Sequence, residues 1–88
     1  MDLTREIRSA VEELGQRERL GGLVSLPALR KHLGHLAIPR PELDAALLAA
    51  ERAYVIDLKI ANDRAAVSDA SEGIVVDGRG LLYFVVAR

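Results

Sequence analysis

The 88-residue chain contains no cysteine and no tryptophan, and only 3% of its residues are aromatic. The lack of cysteine excludes a disulfide framework and fits a reducing compartment. The chain also lacks a strong excess of either charge. Its formal net charge is −1, so the overall charge attracts neither nucleic acid nor anionic lipid. No apolar run approaches the ~20 residues of a membrane span, and the first residues do not form an apolar signal core. We therefore predict a cytoplasmic protein without a membrane anchor.

The chain is instead rich in apolar residues, which make up 50% of the total, against 28% charged residues. This balance excludes intrinsic disorder, and the length is that of a single small domain spanning residues 1–88. So short a chain has little room to enclose a catalytic pocket. An enzyme is therefore the least expected class of protein.

Three segments repeat apolar residues at helical spacing. The first runs from Leu3 to about Arg17. The second runs from Leu26 to about Leu33, with Ser25 as its N-cap, and the third runs from Pro41 to Arg52. The residues expected to form the core are Ile7, Val11, Leu14, Leu29, Leu33, Leu43, Leu47, Ile56, Leu58 and alternate residues of Leu81–Val86.

The period then changes from helical to alternating. Apolar residues occupy every second position from Tyr54 to Ile60, which predicts a half-buried strand. Further on, Asp77-Gly78 separates two apolar, β-branched runs, which predicts a hairpin. The polar stretch between these strands, Asn62 to Gly73, is predicted to contain a helical turn around Arg64–Asp69.

This order of elements resembles that of the winged-helix superfamily: a helix, a short strand, two further helices and a terminal hairpin. The resemblance covers nearly the whole chain and rests on element order, not on a signature motif. It implies an α+β fold in which Ser25–Leu33 and Pro41–Arg52 form a helix-turn-helix and Asn62–Gly80 forms a long wing. An unrelated α+β arrangement of the same elements is the alternative.

DNA binding is the function that this resemblance first implies, with the third helix in the major groove. Only Arg52 can hydrogen-bond to base edges among the predicted outward positions of this helix, which are Pro41, Ala45, Leu48 and Arg52. Asp44 and Glu42 flank that face and would repel phosphates. DNA binding is therefore the second choice, and the residues that would carry it are Arg30, Lys31, Arg40, Arg52 and Arg79.

Protein–protein interaction is the preferred interpretation, because the last strand, Leu81–Ala87, is apolar on both faces. Its second face is covered either by the Arg64–Asp69 segment or by another protein, including a second copy that pairs with the edge of this strand. Tyr83 is the expected anchor, or Phe84 if the register is shifted by one residue. The predicted interface residues are Leu48, Val55, Leu81, Tyr83 and Val85.

Catalytic and cofactor chemistry finds no support in the sequence. His32 and His35 have a spacing that could hold a metal, but no suitable third ligand lies nearby. Gly78-Arg79-Gly80 lacks the lysine and the following helix of a phosphate-binding loop. We therefore predict no enzymatic activity, no cofactor, no metal and no small-molecule substrate. The excess of arginine over lysine, with abundant alanine, is associated with GC-rich bacterial sources.

Overall fold

The computed structural model describes residues 3–17, 22–61, 67 and 69–88. Within them the helices are α1 (Leu3–Arg17), α2 (Leu26–His32) and α3 (Arg40–Arg52), with short 3₁₀ turns at Gly34–Leu36 and Ala70–Glu72. The strands are β1 (Val24–Ser25), β2 (Ile56–Ile60), β3 (Ile74–Val76) and β4 (Gly80–Ala87). The α+β class that the sequence predicted is confirmed. The predicted helical turn at Arg64–Asp69 lies almost entirely outside the described residues.

Local sequence signals set the starts of α2 and of the hairpin as expected. The Ser25 hydroxyl accepts a hydrogen bond from the Ala28 N–H at 3.3 Å, so Ser25 caps α2. In the hairpin, the Arg79 N–H donates to the Val76 carbonyl at 3.0 Å, and Gly78 has a φ of 83°. Glycine adopts this left-handed conformation without a steric penalty, which explains the turn.

α3 ends at Arg52 as predicted, but the start of the following strand differs from the prediction. The Val55 N–H donates to the Ala50 carbonyl and the Tyr54 N–H donates to the Glu51 carbonyl, each at 3.0 Å. These two bonds form a Schellman motif, which places Tyr54 at the left-handed position with a φ of 61°. Tyr54 therefore belongs to the turn that follows the helix, and the strand begins two residues later than the alternation suggested.

β4 is the central strand of an antiparallel sheet. β2 pairs along one edge of β4, from Ala87 to Leu82. β1 pairs with Val85 and Phe84, and β3 pairs with residues 80–82, so these two short strands lie end to end on the other edge. Both edges of β4 are occupied, and the expectation that the last strand offers a free edge is wrong.

A β-bulge in β4 breaks the expected alternation. Lys59 pairs with Phe84 and the next residue, Ile60, pairs with Leu82, so Tyr83 is the extra residue. Leu82 and Val85 both join the core cluster, although positions three apart in a regular strand face opposite sides. Tyr83 is buried but does not belong to that cluster.

The core lies between the three helices and one face of the sheet. The predicted core residues of the helices and of β2 are buried, except Leu14, which is half-buried against the cluster. The cluster also contains Leu82 and Val85 together, a pair that strict alternation along β4 does not allow. Its other members are Ala10, Val24, Leu26, Ala50 and Ile74.

Candidate interaction surfaces

The exposed side of α3 carries little that could contact DNA bases. The helix buries the side that the sequence predicted, with Leu43, Leu47 and Ala50 in the core. Its exposed positions are Arg40, Pro41, Glu42, Ala45, Ala49 and Arg52. Two predicted interface residues are corrected: Leu48 and Val55 are half-buried and pack against the core cluster, so neither lies free on the surface.

A network of arginines and carboxylates joins α2, α3 and the turn before β3. The Arg30 guanidinium lies 2.7 Å from a carboxylate oxygen of Asp44 and donates to the Glu72 carbonyl at 2.8 Å. Arg40 lies 3.4 Å from the other Asp44 oxygen and donates to the Gly73 carbonyl at 2.8 Å. Only 12% of the Arg30 side chain and 23% of the Asp44 side chain are exposed. The network therefore holds the helix pair to the sheet.

This network corrects three predicted roles. Arg30 is mostly buried in an ion pair and is not available to phosphates. Arg40, with 48% of its side chain exposed, shares Asp44 with Arg30 and donates to the Gly73 carbonyl. Asp44 does not face outward to repel phosphates, because it pairs with both arginines. Lys31 and Arg52 do lie exposed, as the DNA-binding alternative requires.

Arg79, at the hairpin tip, is held against the sheet by Glu51. Its Nη2 lies 3.0 Å from Oε2 of Glu51 and 3.3 Å from the Leu58 carbonyl oxygen. The same Oε2 accepts a hydrogen bond from the Leu58 N–H at 3.0 Å. The hydrogen bond from Arg79 lowers the pKa of Glu51, against desolvation, and the Glu51 carboxylate raises the pKa of Arg79. In the structure Arg79 is therefore paired with Glu51, whereas the DNA-binding alternative expects it to reach into a groove.

The predicted anchor on β4 is buried within the chain. Val85 lies in the core, and only 1% of Tyr83 is exposed, so both are withdrawn as interface residues. The Tyr83 hydroxyl accepts a hydrogen bond from the Asp69 N–H at 3.2 Å, and its ring meets the Phe84 ring edge-on at 5.2 Å between centroids. The Tyr83 side chain is therefore covered by other residues of the same chain. Phe84, the alternative anchor, and Leu81 are half-buried.

The large apolar side chains that are exposed in the described part of the chain are Val75 (76%), Tyr54 (72%) and Ile60 (44%). Val75 lies directly opposite Leu81 in the β3–β4 ladder, so it shares a face with a predicted interface residue. Sequence reasoning missed Val75 because a three-residue strand is too short for alternation to assign its faces. The adjacent Asp-Gly turn was the signal that could have placed it beside Leu81.

Arg88 lies over the Tyr54 ring near the end of β4. The Arg88 guanidinium lies 5.2 Å from the centre of the Tyr54 ring and 2.8 Å from the Asp57 carboxylate. Hydrogen bonding to Arg88 lowers the pKa of Asp57. Arg8 donates to the Arg88 carbonyl at 3.3 Å. The sequence did not indicate this contact, because it placed Tyr54 within a strand.

The histidines do not form a metal site in the described residues, where no group of three or more histidine, aspartate or glutamate side chains is arranged to hold an ion. His32 lies 3.3 Å from the Glu13 carboxylate and links α2 to α1. The His35 ring nitrogen Nδ1 lies 3.0 Å from the His32 carbonyl oxygen. A cavity of about 440 Å³ has an apolar lining of Ala61, Val67, Ala70 and Leu81.

None of the described helices has the length and apolar character needed to cross a membrane. Comparison with protein-family models, with curated proteins and with solved structures finds no match for this chain.

Proposed function

We propose that this chain is a winged-helix module that joins proteins and has no catalytic role. Several features support the winged-helix arrangement: β1 lies between α1 and α2, α2 and α3 occupy the helix-turn-helix position, and β4 runs between β1 and β2 in the sheet. The β3–β4 hairpin then corresponds to the wing. Cytoplasmic location stays a prediction.

The exposed apolar side of the β3–β4 hairpin is the observation that carries the binding function. Val75 is the most exposed large apolar residue described, and half-buried Leu81 lies opposite it. Phe84 and Val86 continue along β4, half-buried and outside the core cluster. Covering such side chains supplies favourable free energy on association, which makes this face the natural docking surface.

Val75→Asp tests this surface. It places a charge in the centre of the exposed apolar side without touching the core, so the fold should persist while association weakens. Ala49→Asp is a matched control, because it adds the same charge at an exposed residue of α3, outside the hairpin. Sedimentation from micromolar to near-millimolar concentration should show the wild-type and Ala49→Asp chains associating and Val75→Asp shifted toward monomer. If the two variants behave alike, or if the wild type is strictly monomeric, the hairpin surface is not a self-association site.

DNA binding is the second candidate, favoured by the exposure of Lys31 and Arg52 on the helix-turn-helix. Against it stand the ion pairs of Arg30 and Arg79, since an arginine committed to a carboxylate neutralises no phosphate. Titration with random-sequence duplex DNA at low salt separates the two functions. The protein-binding proposal expects weak binding; tight binding that falls steeply with salt would reverse the order of the candidates.

A further inference from the structure

β2 is the outermost strand of the sheet on its side: it pairs with β4, and no other described strand pairs with it. The orientation of its backbone follows from two flanking bonds, since Ala61 donates to the Leu81 carbonyl and Arg88 donates to the Val55 carbonyl. Odd-numbered residues thus direct their backbone groups toward β4. Leu58 directs its N–H and C=O the other way, toward Glu51 and Arg79. The outer edge of β2 therefore presents hydrogen-bonding groups at positions 56, 58 and 60.

The sequence of β2, Ile-Asp-Leu-Lys-Ile, is complementary to itself in the antiparallel direction. If Leu58 faces Leu58 of a second copy, Asp57 lies opposite Lys59 twice, and Ile56 lies opposite Ile60 twice. Opposite charges directly across two strands stabilise pairing, and covering Ile60 removes exposed apolar surface. A two-fold interface requires this self-complementarity, because each residue meets its counterpart reciprocally. This register also agrees with the direction of the backbone groups, since the N–H and C=O of Leu58 point toward the outer edge of β2.

In the isolated chain the Glu51–Arg79 pair closes this edge. Glu51 accepts from the Leu58 N–H, and Arg79 donates to the Leu58 carbonyl, so both backbone groups at the centre of the edge are satisfied. Side chains placed over an edge in this way block strand addition. Neither residue lies in the core, and 43% of the Arg79 side chain and 18% of the Glu51 side chain are exposed, so the pair can leave the edge without removing a core side chain.

We propose that β2 is a gated dimerisation edge: a second copy of this chain adds its own β2 in antiparallel register about Leu58 once the Glu51–Arg79 pair swings away. This deepens and rests on the proposed function, because it names one partner and the strand that receives it. The surface is separate from the apolar side of the hairpin, so the two can be tested independently.

The first test removes the gate. Glu51→Ala/Arg79→Ala deletes both covering side chains and leaves the net charge unchanged, and circular dichroism establishes that the variant is folded. Sedimentation equilibrium should show the dimer dissociation constant falling by about tenfold or more relative to wild type, since two hydrogen bonds to charged groups no longer compete with the second strand. A folded variant that stays monomeric to near-millimolar concentration would overturn the proposal.

The second test examines the register of the two β2 strands, and all its variants also carry Glu51→Ala/Arg79→Ala (the opened background). Lys59→Asp places aspartates opposite each other, and Asp57→Lys does the same with lysines, so each should weaken self-association. Mixing the two chains restores both opposite-charge pairs, and the mixture should form a heterodimer. The doubly exchanged chain, Asp57→Lys/Lys59→Asp, should recover the homodimer. Loss in the single variants without this recovery would reflect general charge effects and would refute the register.

The hairpin variant keeps the two proposals apart. Val75→Asp in the opened background should leave the β2 dimer intact. If association responds to Val75→Asp but not to the charge exchanges, the β2 edge is refuted and the proposed hairpin surface stands. If it responds to the charge exchanges alone, the β2 edge is supported and the hairpin surface is not.

Discussion

Removing the Asp44 carboxylate should destabilise the protein much more than its partly exposed position on α3 suggests. In the structure Asp44 is the shared partner of two arginines, and Arg30, at 12% exposure, cannot regain full hydration while the fold persists. Asp44→Ala therefore leaves a nearly buried guanidinium with only the Glu72 contacts to compensate it. Breaking one side of a buried ion pair costs about 3–5 kcal/mol. Because Glu72 remains, we expect a loss of about 2–3 kcal/mol.

A double-mutant cycle separates this cost from the general effect of truncation. Arg30→Ala/Asp44→Ala removes both charges of the pair, so no buried charge is left unpaired, and the double variant should be no less stable than Asp44→Ala. The interaction energy of the cycle should be about 1–2 kcal/mol. Urea denaturation of the four proteins, with equal slopes required for comparison, measures it. A loss below half a kilocalorie for Asp44→Ala, or strict additivity, would refute the role of the pair.

Three further expectations follow from the core, the end of α3 and the sheet edge. Leu47→Ala should cost about 2–5 kcal/mol in chemical denaturation, because the leucine is fully buried; a loss below half a kilocalorie would contradict its position. Tyr54→Gly should be more stable than Tyr54→Ala by about 1 kcal/mol, since both lose the Arg88 contact but only glycine relieves the positive φ. Equal thermal midpoints would exclude backbone strain there. Hydrogen bonding from Arg79 holds the pKa of Glu51 below the ordinary 4.5, so its stabilisation is present above that pH and is lost as the pH falls through the lower, folded-state pKa. Glu51→Gln should therefore flatten the acid side of the stability profile, and an unchanged profile would count against the pairing.

The local elements of this fold were predictable from the sequence. Apolar residues three and four apart fixed α1 and α3 and their buried sides, because the helical period is a property of neighbouring residues alone. Ser25 and the Asp77-Gly78 pair marked a helix start and a turn for the same reason: each acts on backbone groups within a few residues. The α+β class and most of the core followed from these signals.

The candidate surfaces depended on contacts that no local pattern contains. Arg30 meets the Glu72 carbonyl across 42 residues of chain, and Arg79 meets Glu51 across 28. The sequence showed these side chains as basic residues open to DNA, because nothing near them in the chain neutralises them. Their carboxylate and carbonyl partners become neighbours only when the helices pack on the sheet.

The sequence by itself determined the helices, the hairpin turn and the apolar character of the last strand. Tertiary structure decided which residues of that strand are accessible, because the bulge at Tyr83 places Val85, which was expected on the outer face, in the core with Leu82, and β4 occupies the centre of the sheet. A single extra residue has this effect because side chains along a strand alternate with a period of two. Strand order depends on which distant segments pair. The strand with an exposed edge is therefore β2, and not the last strand as the sequence suggested.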